Sequence, residues 1–209
     1  IVGCTKQESK TIQESETFSV ISRKYPNSGK IQSINTYEVI NQTDINDSLI
    51  IDYEYQANKF YDEIKKLDSN SRVLLSIDIS IIFMPEIVQS VSTLIKQLKN
   101  QNTPFYIISL FPYGNQLAEE IINNLIIEGI PLERYEDYVN FSFKAGSEAI
   151  IMGMSRNVLQ TIYDKDIMGK STNSIMLMNG IKGLSDFDLI INVSEGYPGI
   201  QEWVSFNYP

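Results

Sequence analysis

The sequence predicts an α/β protein with an open, mostly parallel sheet and helices on both of its faces. Four short apolar runs alternate with segments whose apolar residues recur every three or four positions. Each run is nearly continuous, as in a strand that is buried on both sides, whereas the intervening spacing is that of one helix face. Strands that alternate with helices favour β–α–β crossovers and therefore parallel pairing.

Clear breaks mark the first strand and the helices around it. Residues 53–67, YEYQANKFYDEIKKL, place apolar side chains at steps of three and four, which predicts a helix. The polar run 68–71 ends this helix, and residues 72–80, RVLLSIDIS, predict a buried strand. Pro85 opens the next helix, because proline is favoured in the first helical turn.

The same unit then recurs. Residues 104–111, PFYIISLF, predict a second strand, and a helix from about Asn115 follows that Gly129 closes. The remaining predicted elements are a strand over 138–143, a helix over 146–160, a longer insertion over 161–186, a strand over 187–193 and an amphipathic segment that carries Trp203. All of these elements form one predicted domain, residues 49–209.

The composition narrows the classes of function. Lys and Arg number 17 against 26 Asp and Glu, which gives a formal net charge of −9 and a pI near 4.6. An acidic surface repels nucleic acid and anionic lipid headgroups, so no nucleic-acid partner is expected. The chain contains no histidine, which excludes Ser-His-Asp and Cys-His catalysis and His-ligated zinc. An enzymatic role is therefore disfavoured.

The single cysteine, Cys4, indicates a cellular location. Without a second Cys or any His it can neither form an internal disulfide nor anchor a soft-metal site, so no metal is expected and no cofactor is indicated. The opening IVGC resembles the lipobox of bacterial lipoproteins, in which the cysteine is acylated after cleavage. The resemblance implies a lipid on Cys4, an extracytoplasmic membrane-anchored location, and a signal peptide that ends with residues 1–3.

Residues 1–48 are predicted to be this lipobox-like start followed by a flexible polar tether. Twenty of the 44 residues from Thr5 to Ser48 are Ser, Thr, Asn or Gln. Such a stretch buries too little apolar surface to order itself, and its composition suits a spacer between a membrane and a domain. The alternative is a frayed terminus.

The candidate ligand site lies where the predicted parallel strands end. In open α/β sheets, ligands bind outside the carboxyl ends of the strands, where loops of several units converge. Three of the four predicted ends contain glycine, which lets a ligand approach the backbone closely. The predicted ligand-binding residues are Asp78, Ser80, Tyr113, Gly114, Lys144, Gly146, Ser147, Glu148, Ser194, Glu195, Gly196, Tyr197 and Gly199.

The first functional hypothesis is a membrane-tethered extracytoplasmic domain that binds a small ligand or a partner at this edge. Lys144 and the amides after Gly146 and Gly196 would meet an anionic group of the ligand, since backbone amides at helix starts bind anions. Three aromatic side chains would supply apolar walls: Tyr113, Tyr197 and Trp203.

Two alternatives remain open. A histidine-independent hydrolase or transferase would use Glu148 or Asp78 as its base, and would need a carboxylate of raised pKa or a lysine base. Its nucleophile would be Ser80 or Ser194. A scaffold would dock another membrane protein through residues 152–178, which contain five of the six methionines. Methionines form pliable apolar surfaces, although adaptable core packing is the simpler explanation for them.

Common cofactor and metal motifs do not occur at the strand ends. The chain has neither a G-x-x-x-x-G-K-[ST] nor a G-x-G-x-x-G segment there. The DIS of residues 78–80 begins like a metal-ion-dependent adhesion motif, but Ile82 stands where that motif has a further serine. Asp186 and Asp188 are expected to cap and flank the last strand rather than to bind a metal.

The C-terminal third contains the segments KAGSEA, DKDIMGKS, MNGIKGL and SEGYPGIQEWV. These segments resemble a set of membrane-anchored prokaryotic proteins that share G-G-E-A, T-D-Y-x-G-T-P, M-x-G-I-K-x-L and S-x-G-x-P-G-x-x-E-W-V. The chain departs from the pattern at Ser147, where a second glycine would stand, and lacks the Thr-Pro of the second segment. The matching residues are Gly146, Glu148, Ala149, Asp166, Gly169, Met178, Gly180, Ile181, Lys182, Leu184, Ser194, Gly196, Pro198, Gly199, Glu202, Trp203 and Val204.

The resemblance covers residues 138–204 well and the earlier strands in outline. It implies attachment to a membrane and no particular reaction. Members of the set continue past E-W-V with more domain and a transmembrane helix. The chain is therefore expected either to be truncated at Pro209 or to be a shorter relative that depends on its N-terminal lipid.

Overall fold

The computed structural model describes residues 2–4, 17–19, 38–40, 58–79, 84–157, 159–195 and 197–206. Its strands are β1 (Val2–Cys4), β2 (Thr17–Ser19), β3 (Glu38–Ile40), β4 (Val73–Asp78), β5 (Phe105–Ile108), β6 (Tyr138–Asn140) and β7 (Leu189–Glu195). Its helices are α1, helical over 58–65, α2 (Met84–Asn100), α3 (Gly114–Ile127), α4 (Ser147–Ser155), α5 (Leu159–Ile162) and α6 (Ile200–Ser205). None of these described helices is long and apolar enough to cross a bilayer.

One sheet joins the described strands in the order β3-β2-β1-β7-β4-β5-β6. Strands β7, β4, β5 and β6 form a parallel core, and β1 extends it in parallel beside β7. Strands β2 and β3 add to that edge in antiparallel orientation. The predicted α/β fold with an open, mostly parallel sheet is confirmed. Strands β1, β2 and β3 come from the first 48 residues, and the rest of the predicted tether lies outside the described residues.

The order of the strands creates a reversal between β4 and β7. From β4 the chain proceeds outward to β5 and β6, and it then returns to β7 on the other side of β4. Such a reversal is a topological switch point, where the loops after two adjacent strands leave toward opposite faces and open a crevice. The pairing of β4 with β7 runs from Val73 opposite Leu189 to Asp78 opposite Ser194, so the two carboxyl ends are level.

Hydrophobic layers cover both faces of the sheet. Helices α1, α2 and α3 pack on the face that includes Val73, Leu75 and Ile77. Helices α4, α5 and α6, with the 3-10 turns between residues 172 and 186, pack on the face that includes Leu74 and Ile190. We call this second face the α4–α6 face. Because successive strand residues point to opposite sides, the even-numbered residues of β4 and β7 lie on it together.

Most elements begin and end close to their predicted bounds. Strand β4 is buried along its whole length, as its continuous apolar run predicts. Helix α2 begins beside Pro85, and α3 ends two residues before Gly129, which has a φ of 93°. Strand β5 is shorter than predicted, because Ser109 turns its hydroxyl onto the carbonyl oxygens of Ile77 and Phe111 at 2.5 and 2.8 Å.

The helix predicted over 146–160 is two helices. Helix α4 ends at Ser155, and Asn157 adopts a left-handed conformation with a φ of 62°. The insertion folds back against this break: the N–H of Leu159 donates to the carbonyl of Lys182 at 2.8 Å. Gly183 packs there so closely that a Cβ would lie 2.4 Å from a backbone carbonyl oxygen of α4. Contact with the insertion thus replaces continuation of the helix.

Gly114 marks the closest approach of α3 to β4. A Cβ at this position would lie 1.9 Å from the carbonyl oxygen of Ile77, so the backbone would have to move. We expect Gly114→Ala to lower the free energy of unfolding by about 2–3 kcal/mol in urea denaturation. Gly129→Ala is the matched control, since nothing lies within 4 Å of its Cβ and only the positive φ is strained. Gly129→Ala should lower the free energy of unfolding by about 1 kcal/mol. An equal loss of stability in Gly114→Ala and Gly129→Ala would show that close packing at Gly114 is not the cause.

Candidate functional site

Four polar side chains lie side by side in the middle of the sheet. Ser76 and Asp78 belong to β4, and their register partners on β7 are Asn192 and Ser194 respectively. All four residues are 0% exposed, and as even-numbered residues they share the α4–α6 face. We call these four residues the β4–β7 polar patch. It occupies the carboxyl end of the switch point, where an open α/β sheet binds ligands.

The carboxylate of Asp78 is the centre of the patch. Its Oδ2 accepts hydrogen bonds from Ser76 Oγ at 2.7 Å, Asn192 Nδ2 at 2.5 Å and Trp203 Nε1 at 3.1 Å. Its Oδ1 accepts a hydrogen bond from the backbone N–H of Leu110 at 2.6 Å. Strand β4, the segment after β5, strand β7 and helix α6 therefore meet on one carboxylate.

Burial dominates the protonation of Asp78. It raises the pKa of this carboxyl from 3.8 to about 6. The four hydrogen bonds act in the opposite direction, because each donor favours the ionised form. Among the described residues, no cation contributes to the pKa of Asp78. The negative charge is thus compensated by dipoles alone.

Three further polar atoms at this place have no hydrogen-bond partner among the described residues. They are Asn192 Oδ1, Ser194 Oγ and the hydroxyl oxygen of Tyr163, and all three are buried. Tyr163 follows α5 directly, and the negative charge of Asp78 adds to the effect of burial in raising the Tyr163 pKa. An unpaired buried polar group costs about 1–3 kcal/mol and is rare in native structures. Two of them, on Asn192 and Ser194, belong to the patch itself and favour a binding role.

Trp203 covers the patch. It is the only tryptophan of the chain, it is 0% exposed, and it packs in the apolar layer of the α4–α6 face. The helix that carries it, α6, is six residues long and starts from Gly199, whose N–H donates to Glu202 Oε2 at 2.7 Å. The indole N–H is thus the group of α6 that reaches the buried carboxylate.

A second hydrogen bond ties the segment after β7 to α4 nearer the surface. The hydroxyl of Tyr197 donates to Glu148 Oε1 at 2.5 Å, and Tyr197 is 63% exposed. The bond lowers the pKa of Glu148 and raises the pKa of Tyr197, because it favours the carboxylate and the neutral phenol. Gly146 and Ser147, with φ of 136° and 35°, form the start of α4 beside Glu148. Four of the residues predicted for the edge are therefore brought together here.

The other predicted residues lie apart from these two groups. The Nζ of Lys144 is 3.5 Å from a carboxylate oxygen of Asp164, so this cation is already paired. Tyr113 and Gly114 stand at the start of α3 on the opposite face, where they pack against the other hydrophobic layer. Glu195 ends β7, and its side chain is not described. Ser80 and Gly196 lie outside the described residues.

The predicted nucleophile Ser194 does not pair with the predicted bases Asp78 or Glu148 among the described residues. Asp78 and Ser194 are neighbours across the strands, yet Ser194 Oγ has no partner, and Asp78 already accepts four hydrogen bonds. The alternative base, Glu148, is bound by Tyr197. Chemistry that needs the Ser194 hydroxyl to be activated by an adjacent base is thus not assembled by these residues.

The two aspartates beside β7 have structural roles, as the sequence predicts. Asp186 Oδ2 accepts hydrogen bonds from the N–H groups of Lys182 and Gly183 at 2.7 and 3.0 Å. Asp188 Oδ2 accepts one from the N–H of Arg72 at 2.9 Å. In the described part of the chain, no three His, Cys, Asp or Glu side chains are grouped so that they could hold a metal ion.

Sequence reasoning missed Ser76, Asn192 and Tyr163. The two strand residues did leave a signal, because S-I-D and N-V-S place polar residues at alternate positions of otherwise apolar strands, and such residues share one face. Tyr163 left none, since its position depends on how the insertion after it folds back onto the sheet.

Some residues of the C-terminal segments organise turns. Asp166, which is 2% exposed, accepts a hydrogen bond from the hydroxyl of Tyr135 at 2.6 Å and two more from backbone N–H groups of the turn that follows. Gly169 completes that turn with a φ of 80°. Ser194 and Trp203, by contrast, belong to the β4–β7 polar patch and to its cover.

The unpartnered hydroxyl of Ser194 leads to a stability prediction. We expect Ser194→Ala to raise the free energy of unfolding by about 1 kcal/mol, because it removes a buried hydroxyl that has no partner among the described residues. Ser109→Ala is the matched control: Ser109 is equally buried, but its hydroxyl donates to the carbonyl of Ile77 at 2.5 Å. Loss of this hydrogen bond in Ser109→Ala should lower the free energy of unfolding by about 1 kcal/mol. Urea denaturation of both variants measures the difference, and equal destabilisation would show that the Ser194 hydroxyl is partnered.

Asp78 predicts a dependence of stability on pH. Its pKa of about 6 in the folded state is above 3.8, so the folded protein binds this proton more tightly than the unfolded chain does. Asp78 should therefore lower the free energy of unfolding as pH rises from about 4 to above 6, by about 3 kcal/mol in total. Comparison with Asp78→Asn across that range isolates the effect, since the other carboxyl groups are common to both proteins. A difference in the free energy of unfolding between the two proteins that stays constant with pH would refute the raised pKa of Asp78.

The chain matches no protein-family model, no curated protein and no solved structure. No relative therefore assigns a role to the β4–β7 polar patch or to Trp203.

Proposed function

We propose that this chain is a membrane-tethered, extracytoplasmic α/β domain that binds a small ligand at the carboxyl edge of its sheet. The observation that supports the ligand site is the β4–β7 polar patch, in which Asn192 and Ser194 beside a buried carboxylate each keep a polar atom without a hydrogen-bond partner among the described residues. Its position at the switch point adds to this support, because the loops after two adjacent strands diverge there.

A purely structural role accounts less well for the patch. Buried polar networks stabilise a core when every member is satisfied, and a partly satisfied network is worse than an apolar core. Asp78 is fully satisfied, whereas Asn192 and Ser194 beside it are not. An apolar residue in place of Ser194 would fold at lower cost, and a ligand would supply the reason for its hydroxyl.

The location proposed for the domain is supported by the sequence. The IVGC segment matches a lipobox at Cys4, and the polar residues that follow it suit a spacer. The resemblance of the C-terminal segments to membrane-anchored prokaryotic proteins points to the same location. The lipid on Cys4 is therefore part of the proposal, and the partner it implies is the membrane itself.

Native mass spectrometry of the full-length protein, extracted gently from its own membranes, tests both parts. We expect an added mass that corresponds to acyl chains on Cys4 and that is lost in Cys4→Ser. We also expect a second, small co-purifying mass that is lost in Ser194→Ala and kept in Ser109→Ala, whose hydroxyl lies on the other face of the sheet. An unmodified chain without a bound small molecule would overturn the proposal.

A scaffold function is the second candidate, and the exposure of two methionines favours it. Met168 and Met176 are 67% and 80% exposed, whereas Met154 and Met178 are in the core. The segment 152–178 thus presents part of its methionines to a partner and uses the rest for packing. In the same extraction, a co-purifying membrane protein in place of a small mass would favour the scaffold.

A further inference from the structure

We propose that the ligand of the β4–β7 polar patch carries a primary ammonium group, which replaces the indole N–H of Trp203 on Asp78. This inference rests on the proposed function and names the chemical class of its ligand. An ammonium ligand differs from the anionic ligand that the glycine-rich strand ends predict. The reason is that the unpartnered side-chain atoms at the site are hydrogen-bond acceptors, which need donors from a ligand.

The orientation of the Asn192 amide determines which kind of group the site lacks. Its Nδ2 donates to Asp78 Oδ2 at 2.5 Å, and turning the amide over would set its oxygen against the carboxylate. Asn192 Oδ1 is therefore fixed as a buried acceptor, and it has no donor among the described residues. A ligand that satisfies it must present an N–H or O–H group.

The number of acceptors matches an ammonium group. Asp78 Oδ2, Asn192 Oδ1 and Ser194 Oγ are three acceptors on adjacent strands, and a primary ammonium has three N–H donors. Asp78 and Ser194 are register partners, so their backbones are separated by one strand spacing of about 4.8 Å. Asn192 is in direct contact with the same carboxylate. The three acceptors thus belong to adjacent strands on one face of the sheet, and the proposed ammonium nitrogen would lie among them.

Charge favours a cation at the same place. Asp78 is a completely buried carboxylate, and no cation among the described residues contributes to its pKa. A buried ion is stable only when it is paired and hydrogen-bonded, and an ammonium would provide both kinds of compensation. The net charge of −9 attracts cationic ligands to the protein. An anion would face Asp78 with like charge.

A divalent metal ion suits these residues less well. Magnesium and calcium in proteins are bound mainly by several carboxylate and carbonyl oxygens, with six or more ligands in all. The patch offers a single carboxylate, and no group of three acidic side chains occurs among the described residues. An ammonium needs only one charge and three acceptors.

Trp203 holds the position that the ammonium would take. Its hydrogen bond to Asp78, at 3.1 Å, is the longest of the four and comes from a neutral donor with a single N–H. A charged donor forms a stronger bond to a carboxylate than a neutral one does. Displacement of the indole would uncover Asp78, and because Trp203 is the only tryptophan, its fluorescence reports this event alone.

Three probes of equal size and different charge test the inference in the full-length protein. Ethanolamine, ethylene glycol and glycolate share one hydroxyl on a two-carbon chain, and carry one positive charge, none and one negative charge. We expect ethanolamine to shift the Trp203 emission to the red with a saturable dose dependence at constant ionic strength. Ethylene glycol should bind at least about ten-fold more weakly, since it lacks the charge, and glycolate should give no saturable shift.

Matched variants tie the response to the patch. Ser194→Ala should weaken the ethanolamine response about five-fold because one of the three acceptors is lost, whereas Ser109→Ala should leave it unchanged. A glycolate response equal to that of ethanolamine, or the same response in both variants, would overturn the inference.

The experiments distinguish the assignment of an ammonium ligand from the proposal that the patch is a ligand site. If the co-purifying molecule lacks an amine and is still lost in Ser194→Ala, the ammonium assignment falls and the proposed ligand site stands. If no probe shifts the Trp203 emission and no small molecule co-purifies, both the ammonium ligand and the ligand site are ruled out.

Discussion

The four hydrogen bonds accepted by Asp78 bring four parts of the chain together on one buried carboxylate. They link β4 to the segment after β5, to β7 and to α6, whose residues are up to 125 positions apart in the chain. The carboxylate lies completely inside the protein, so each donor is needed to offset the loss of water. The position of Trp203, and with it the covering of the α4–α6 face, depends on this arrangement.

The way in which Asp78 is stabilised also explains why the same residue suits a ligand site. Four dipoles surround the charge: the side-chain amide of Asn192, the hydroxyl of Ser76, the indole N–H of Trp203 and the backbone N–H of Leu110. Burial nevertheless raises the pKa of Asp78 to about 6. A cation would remove this disadvantage, and the described residues supply none. The unpartnered atoms of Asn192 and Ser194 add to the cost of the closed state. A buried charge together with unpartnered polar atoms is typical of functional sites that lower the stability of the folded protein.

The sequence predicted the elements of the fold well because each one depends on local signals. The apolar runs of β4 and β7, Pro85 and Gly129 all act through neighbouring residues. The order of the strands was not readable, since it depends on which face each crossover covers. The break after Ser155 escaped prediction for the same reason, because its cause is the insertion that folds back onto α4.

The candidate site shows the same division between local and distant causes. Asp78 and Ser194 were predicted to lie at the sheet edge, but their burial follows from α6, which packs over them from the far end of the chain. The two contacts that hold the segment after β7 differ in character: the Tyr197–Glu148 hydrogen bond is near the surface, while that of Trp203 is fully buried. Exposed hydrogen bonds contribute little and break readily, whereas breaking a buried one leaves its donor and acceptor unsatisfied. We therefore expect the segment to open first at Tyr197, and under the proposed function a ligand that satisfies Asp78 would favour the release of Trp203.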